Sequence, residues 1–271
     1  MNSRLFAAVL LGVLSLSSSA DAGSVLYSQT IDPDSSGNVT DAHVTAEFSD
    51  VVGGQFTLTL SYLSATVGPH FDNGAVLTGF TWNATGNPAI TAVSAVIAAG
   101  SQLIETSGTT VTPVNPQPSN INYGWAYRSN LSGTYGPYGV GAAGGSGDPS
   151  FGANDRINSS STIPLDGVDY GVVPVLASGK GFNNGLKDPV VQSSIVLTFN
   201  VGPGSTFDPM NDITDAYFLF GSNLTPHSAG GGTHASPEPS SLALLSIGIV
   251  GVAGAARRRR RRASSQQQTD D

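Results

Sequence analysis

No cysteine occurs in the 271 residues. That excludes a disulfide framework, a thiolate metal site, an iron–sulfur cluster and a catalytic thiol. Charge is also scarce, at 11% of residues against about 25% in an average soluble protein. Helical bundles and coiled coils, whose solvent faces are built from charged side chains, are excluded with it. Basic residues are the scarcer sign: 11 Lys and Arg face 19 Asp and Glu, a net charge of −8. A nucleic-acid partner is excluded on that count, because phosphate binding needs a basic face. The G-x-S-x-G, H-E-x-x-H and G-x-x-x-x-G-K-[ST] patterns are all absent, so no familiar nucleophile elbow, zinc-protease helix or phosphate loop is present. What the chain has instead is an excess of Gly, Ser, Thr, Val and Asn, the composition of short strands joined by many turns.

The few charges are unevenly placed. Arg4 precedes an apolar run over residues 5–16, and small residues follow as far as Ala20-Asp21-Ala22. This order is that of a secretory signal peptide over residues 1–22, with cleavage expected before Gly23. The run is too short to cross a bilayer, which takes about 20 residues. Six of the eleven basic residues form a single block, Arg257, Arg258, Arg259, Arg260, Arg261 and Arg262. An apolar run over residues 242–256 precedes the block, and Pro237-Glu238-Pro239 precedes that run. Two prolines flanking Glu238 keep the peptide extended, the form a protease binds. Arginine at the centre of a membrane helix costs about 2.5–3.5 kcal/mol per residue. Six of them therefore stop translocation and hold the run across the membrane, with Pro237-Glu238-Pro239 on the far side.

This three-part tail resembles the PEP-CTERM sorting signal of Gram-negative bacteria, often ones that make exopolysaccharide. The resemblance implies that an exosortase, a membrane-embedded cysteine protease-transpeptidase, recognises Pro237, Glu238 and Pro239. Residues 242–256 would then be a transient inner-membrane anchor, and Arg257 to Arg262 the stop signal. It further implies export through the inner membrane and delivery to the cell surface or the extracellular space. The polar residues 263–271 depart from the family pattern, which usually ends at or just after the arginines.

Between the two signals lies a body over residues 23–236, with 15 acidic residues and only Arg128, Arg156, Lys180 and Lys187 as basic ones, a balance of −11. Period-two alternation recurs along it. Phe56, Leu58, Leu60 and Tyr62 fall on one face and Thr57, Thr59 and Ser61 on the other, and Val76, Thr78, Phe80 and Trp82 form a second run. Asn73-Gly74 between these runs predicts a hairpin, since both residue types tolerate positive φ. Further strands are expected over 25–31, 39–48, 90–98, 111–114, 123–129, 172–176, 195–201 and 215–220. Residues 89–99 could also be written as a helix, but their Val and Ile content favours strand. The Gly-, Ser- and Tyr-rich segment 116–152 is expected to be long loops around the one strand 123–129. Residues 226–236 read as a linker to the sorting signal. The expected architecture is all-β, a single β-sandwich or jelly-roll-like domain over residues 23–225.

Chemistry within the body is thinly signalled. Asp32, Asp34 and Ser36 place oxygen ligands at alternate positions before Gly37, as at the front of a calcium loop. The same residues also read as an Asx-rich β-turn, the reading we favour, because the twelfth position is His43 rather than a bidentate Glu. Trp125, Tyr127, Tyr135 and Tyr138 could form a flat platform for sugar rings. The alternation of Tyr123, Trp125 and Tyr127 argues instead that these rings face the core. Of the four histidines, His227 and His234 fall in the expected linker, leaving His43 and His70 for a site. No catalytic residue and no cofactor is assigned, calcium being the one cation such a body would take. The expectation is a non-enzymatic, structural or adhesive protein of an exopolysaccharide matrix. Its competitors are a calcium- or carbohydrate-binding module and an extracellular glycoside hydrolase.

Overall fold

The alternating runs do form strands, and their alternation decides which face each strand buries. In a computed structural model, the residues described are 23–33, 36–107, 110–131, 134–145, 149–157, 165, 167–176, 181–182 and 189–235. The expected signal peptide, the sorting segment from Pro237 onward and the polar tail lie outside the described residues. Among the described residues no helix is long and apolar enough to cross a membrane. In chain order the strands are β1 (Ser24–Ile31), β2 (Val39–Ser49), β3 (Gln55–Val67), β4 (His70–Phe71), β5 (Leu77–Ala84), β6 (Ile90–Ile97), β7 (Gln102–Ser107) and β8 (Thr110–Pro113). They continue as β9 (Ala126–Arg128), β10 (Tyr138–Gly141), β11 (Val172–Val173), β12 (Gly181–Phe182), β13 (Val190–Gln192) and β14 (Ser194–Val201). After the single helical turn α1 (Pro209–Asp212) come β15 (Ile213–Phe220), β16 (Thr225–Ser228) and β17 (Thr233–Ala235). The described body is all-β.

Two sheets carry the fold. The first has six strands in the order β17-β1-β2-β3-β14-β6, and every pairing in it is antiparallel. The second has nine strands, ordered β16-β15-β5-β11-β13-β7-β8, with β10 paired to β5 and β9 paired to β10. A parallel pair of β4 and β12 stands apart. In β3 the alternation reads through directly: Phe56, Leu58, Leu60 and Tyr62 are all buried. Aromatic rings join the two sheets. Phe48 of β2 meets Phe80 and Trp82 of β5 at centroid distances of 5.9 and 5.4 Å, and Phe199 of β14 meets Trp82 at 6.0 Å. These spacings and tilts suit edge-to-face contact, worth about 0.5–1.5 kcal/mol per pair beyond burial itself.

The hairpin expected at Asn73-Gly74 does not form. β3 belongs to the first sheet and β5 to the second, so the connection crosses from one sheet to the other. Neither Asn73 nor Gly74 adopts positive φ. They lie in a 3-10 turn, Asn73–Ala75, capped by the Asp72 carboxylate, which accepts the Gly74 N–H at 3.1 Å. At 89–99 the strand favoured over a helix does form, as β6.

Segment 116–152 is also more ordered than its composition suggests. It supplies β9 and β10, and all four residues of β10 are buried. β10 lies along β5 with Tyr138 opposite Trp82 and Gly141 opposite Gly79. The glycines are what allow this. A Cβ on Gly79 would fall 2.4 Å from the Val140 carbonyl oxygen, and one on Gly141 would fall 2.4 Å from the Phe151 ring. β10 is a neighbour of β5 within the sheet, and β5 is buried along most of its length, with a second apolar cluster that includes Leu131, Phe151, Leu165, Leu219 and Leu224 beside the main core.

The expected linker at 226–236 is corrected as well. β16 pairs with β15, and β17 pairs with β1, where Ala235 faces Ser24 and Thr233 faces Leu26. Both are edge strands, where Pro226 is tolerated because one side of the backbone needs no ladder partner. The folded body therefore runs to within two residues of Pro237.

Candidate functional site

A groove of about 530 Å³ gathers polar side chains from three parts of the chain. Three connections build it. The β1–β2 turn brings Asp32 and Ser36, the β4–β5 crossing brings Asp72 and Gly74, and the β15–β16 hairpin brings Ser222, Asn223, Thr225 and His227. The hairpin is held against the crossing by Thr78, whose hydroxyl donates to the carbonyls of Leu219 (3.2 Å) and Gly221 (2.8 Å). Gly221 has φ +66, and a Cβ there would stand 3.1 Å from Gly74 Cα, so the two loops approach at a distance a side chain would prevent.

Each carboxylate of the groove has one oxygen engaged in shaping its own loop. Asp32 Oδ1 accepts the Asp41 N–H at 3.0 Å, and Asp72 Oδ1 caps Gly74. Ser36 Oγ accepts from the Asn38 side-chain amide at 3.0 Å. This is the Asx- and Ser-rich turn chemistry that the sequence favoured over a calcium loop. Asp34 lies outside the described residues. Among the described residues no three His, Cys, Asp or Glu side chains converge as a metal cage would require.

His227 is the groove residue that the sequence did not single out. Its ring stands edge-on to Phe220 at 5.5 Å, and Nε2 is buried without a hydrogen-bond partner among the described residues. Burial lowers its pKa from 6.5, because the charged imidazolium would lose its solvation there. The signal that could have found it is Thr225-Pro226-His227, a short alternating run after the β15 hairpin turn. The other histidines do not enter this groove. His43 Nε2 lies 2.9 Å from Ser28 Oγ on an exposed sheet face, with no carboxylate bonded to it among the described residues, and His70 belongs to the β4–β12 pair.

The four aromatic residues proposed as a sugar platform are not presented as one. Trp125 is 0% exposed, and its indole Nε1–H donates to the Tyr170 carbonyl at 3.1 Å. Tyr138 is buried between the sheets, stacked on Trp82 at 5.9 Å, with its hydroxyl donating to the Pro88 carbonyl at 2.9 Å. Tyr127 packs on Phe199 at 5.4 Å and donates to the Ile90 carbonyl at 3.1 Å. Desolvation raises the pKa of both tyrosines, as expected of phenols whose ionised form would be stranded in an apolar layer. Tyr135, half-buried, rests edge-on against Tyr217 at 5.2 Å. Trp125, Tyr127 and Tyr138 are therefore engaged in packing within the body, while Tyr135 is the one ring of the four that stays apart from them, against Tyr217.

The sorting residues Pro237, Glu238 and Pro239 and the arginines from Arg257 to Arg262 lie outside the described residues. Their identity rests on comparison. The family model of the PEP-CTERM protein-sorting motif matches residues 237–261. No curated protein and no solved structure matches the chain. The motif implies export and sorting to the cell surface or beyond in a Gram-negative bacterium, with an exosortase as the enzyme that reads it. With an all-β body ending two residues before a matched sorting motif, the chain is a PEP-CTERM sorting domain-containing protein.

Proposed function

We propose that the mature protein is a non-enzymatic, structural or adhesive component of an exopolysaccharide matrix. Its body is read as a β-sandwich of jelly-roll type, exported by an N-terminal signal peptide. A transmembrane helix at 242–256 holds it until an exosortase cuts near Pro237-Glu238-Pro239. The observation that carries this reading is the sorting motif at 237–261, joined without a long spacer to an all-β body. A second reading, a calcium- or carbohydrate-binding module, draws on the 530 Å³ groove. Carboxylate, hydroxyl, amide and imidazole groups from three loops converge there, which suits the hydroxyls of a sugar or a hard cation.

The test is fractionation of a producing strain with mass spectrometry of the exported protein. Mature protein should co-extract with the polysaccharide matrix and yield no peptide beyond residue 242, and Glu238→Ala should leave full-length precursor in the inner membrane. Recovery of residues 257–271 on the exported protein would refute the processing step. Free protein in the medium with none in the matrix fraction would refute the structural role.

A further inference from the structure

Cleavage before Gly23, expected from the sequence, would turn the Gly23 amide nitrogen into an α-ammonium. The structure puts a carboxylate on that nitrogen. Gly23 directly precedes β1 and Asp50 directly follows β2, and the register of Ser24 opposite Ser49 sets the two residues across from each other. In an antiparallel ladder such a pair exchanges two N–H···O bonds, each to a backbone carbonyl. One of the two is present, the Asp50 N–H donating to the Gly23 carbonyl at 3.0 Å. The other is diverted: the Gly23 N–H donates to Asp50 Oδ2, a carboxylate oxygen in place of a carbonyl. The displaced Asp50 carbonyl accepts the Ser49 hydroxyl at 3.1 Å instead.

The ladder does not require this exchange of a neutral acceptor for a charged one, because an amide N–H is satisfied by either. Asp50 has no cationic partner among the described residues, and its carboxylate's only hydrogen bond there comes from the Gly23 N–H. The acids of the adjoining turn are already committed. On α1, whose Met210 packs on Gly23, Asp208 accepts from the Met210 N–H at 2.9 Å and from the Asn211 side-chain amide at 2.6 Å, and Asp212 accepts the Asp208 N–H at 2.8 Å. The fit around the glycine is close. Gly23 is buried, and a Cβ there would stand 2.6 Å from Met210 Sδ and 3.4 Å from each Asp50 carboxylate oxygen. Both oxygens therefore border this residue, with Oδ1 open to a second N–H, which an ammonium has and an amide lacks. Ala235 of β17 lies opposite Ser24, so the same corner also holds the other end of the body.

We propose that Asp50 receives the mature N-terminus: removal of the signal peptide before Gly23 leaves an α-ammonium that pairs with the Asp50 carboxylate and ties the start of β1 to the end of β2. The proposal rests on the signal-peptide reading above for the cut itself. In that cut the Ala22–Gly23 bond is hydrolysed; water gives its oxygen to the Ala22 carbonyl, which becomes a carboxylate, and both its protons to the Gly23 nitrogen. Protein exported by a producing strain tests the pairing, with its α-amine mapped by mass spectrometry and the rate of acetylation by trace anhydride measured at neutral pH. The native amine should map to Gly23 and react at least about threefold more slowly than in Asp50→Asn, since an ion-paired ammonium is held in its unreactive protonated form. Asp50→Asn keeps the shape of the side chain and should lower the melting temperature by about 3–6 °C, the loss of one charge-assisted bond in a domain of this size. Inserting one serine after Ala22 moves the ammonium a residue away and should cost a similar amount, and adding Asp50→Asn to that insertion should cost little more. A mature terminus other than Gly23 overturns the proposal together with the expected cleavage position. A Gly23 terminus that is acetylated equally fast in the native and Asp50→Asn proteins, or losses from the two changes that simply add, overturns the pairing and leaves the cleavage position standing.

Discussion

Replacing Trp125 separates a core residue from a ligand platform, because the two roles predict opposite observables. Its ring is wholly enclosed, its N–H is satisfied by the Tyr170 carbonyl, and Tyr170 is held in a left-handed conformation (φ 62) over Gly124. A Cβ on Gly124 would meet the Tyr170 ring at 2.3 Å, so this corner has no slack into which the structure could collapse. Truncation of a buried aromatic to Ala costs about 3–5 kcal/mol, and cost rises where the cavity cannot close. Taking about 4 kcal/mol, and a shift of about 2–4 °C per kcal/mol for a domain of this size, Trp125→Ala should lower the melting temperature by roughly 8–16 °C. Trp125→Phe keeps most of the buried area but loses the donor, and should cost about 1–2 kcal/mol. Thermal and urea unfolding of both variants, beside a measurement of polysaccharide retention, completes the test. A Trp125→Ala protein of native stability that no longer retained polysaccharide would refute the burial argument and restore the platform.

Two further predictions concern the groove of Asp32, Asp72 and His227. If its carboxylates hold calcium, adding the ion to chelated protein should raise the melting temperature in proportion to the logarithm of its concentration. An unchanged melting temperature across the titration would dismiss a cation there. His227 has its pKa lowered by burial, so between that lowered value and 6.5 the unfolded chain binds more protons than the folded one. Stability from this residue is complete above about pH 6.5 and declines as pH falls through the window below it. His227→Gln should flatten that decline, and a variant with the native pH profile would show that the imidazole is solvated after all.

How far the fold could be read from the sequence depended on what lies against each strand. β3 was legible because one face meets the core and the other does not, which is the condition under which period two carries information. β5 alternates too, but its Thr78, Gly79 and Thr81 are buried along with Phe80, under a layer contributed by residues roughly 45 to 145 positions further along. Nothing local to β5 announces that second cover. β10 was hidden for the converse reason. Tyr138-Gly139-Val140-Gly141 reads as a loop by composition, yet its glycines are there so that Phe151 and Leu131 can press onto the strand. The hairpin signal at Asn73-Gly74 failed because an Asp one position earlier offered the backbone a cap, and a capped 3-10 turn does not return the chain along β3.

The same reasoning explains why the groove could not be assembled from the sequence. Asp32, Asp72 and His227 are separated by 40 and 155 positions; the first two lie in different connections and the third on β16. His227 in particular was set aside with a linker that is in fact an edge strand. The sorting motif was legible for the opposite reason: its parts are contiguous in the sequence, so no fold is needed to bring them together. β17 links the two kinds of information. Its three residues pair with the first residues of β1, so the edge of the first sheet lies within two residues of the motif, about 7 Å of extended chain. A cut near Pro237-Glu238-Pro239, as proposed, would therefore leave an exosortase no long spacer between the motif and the paired strands β1 and β17.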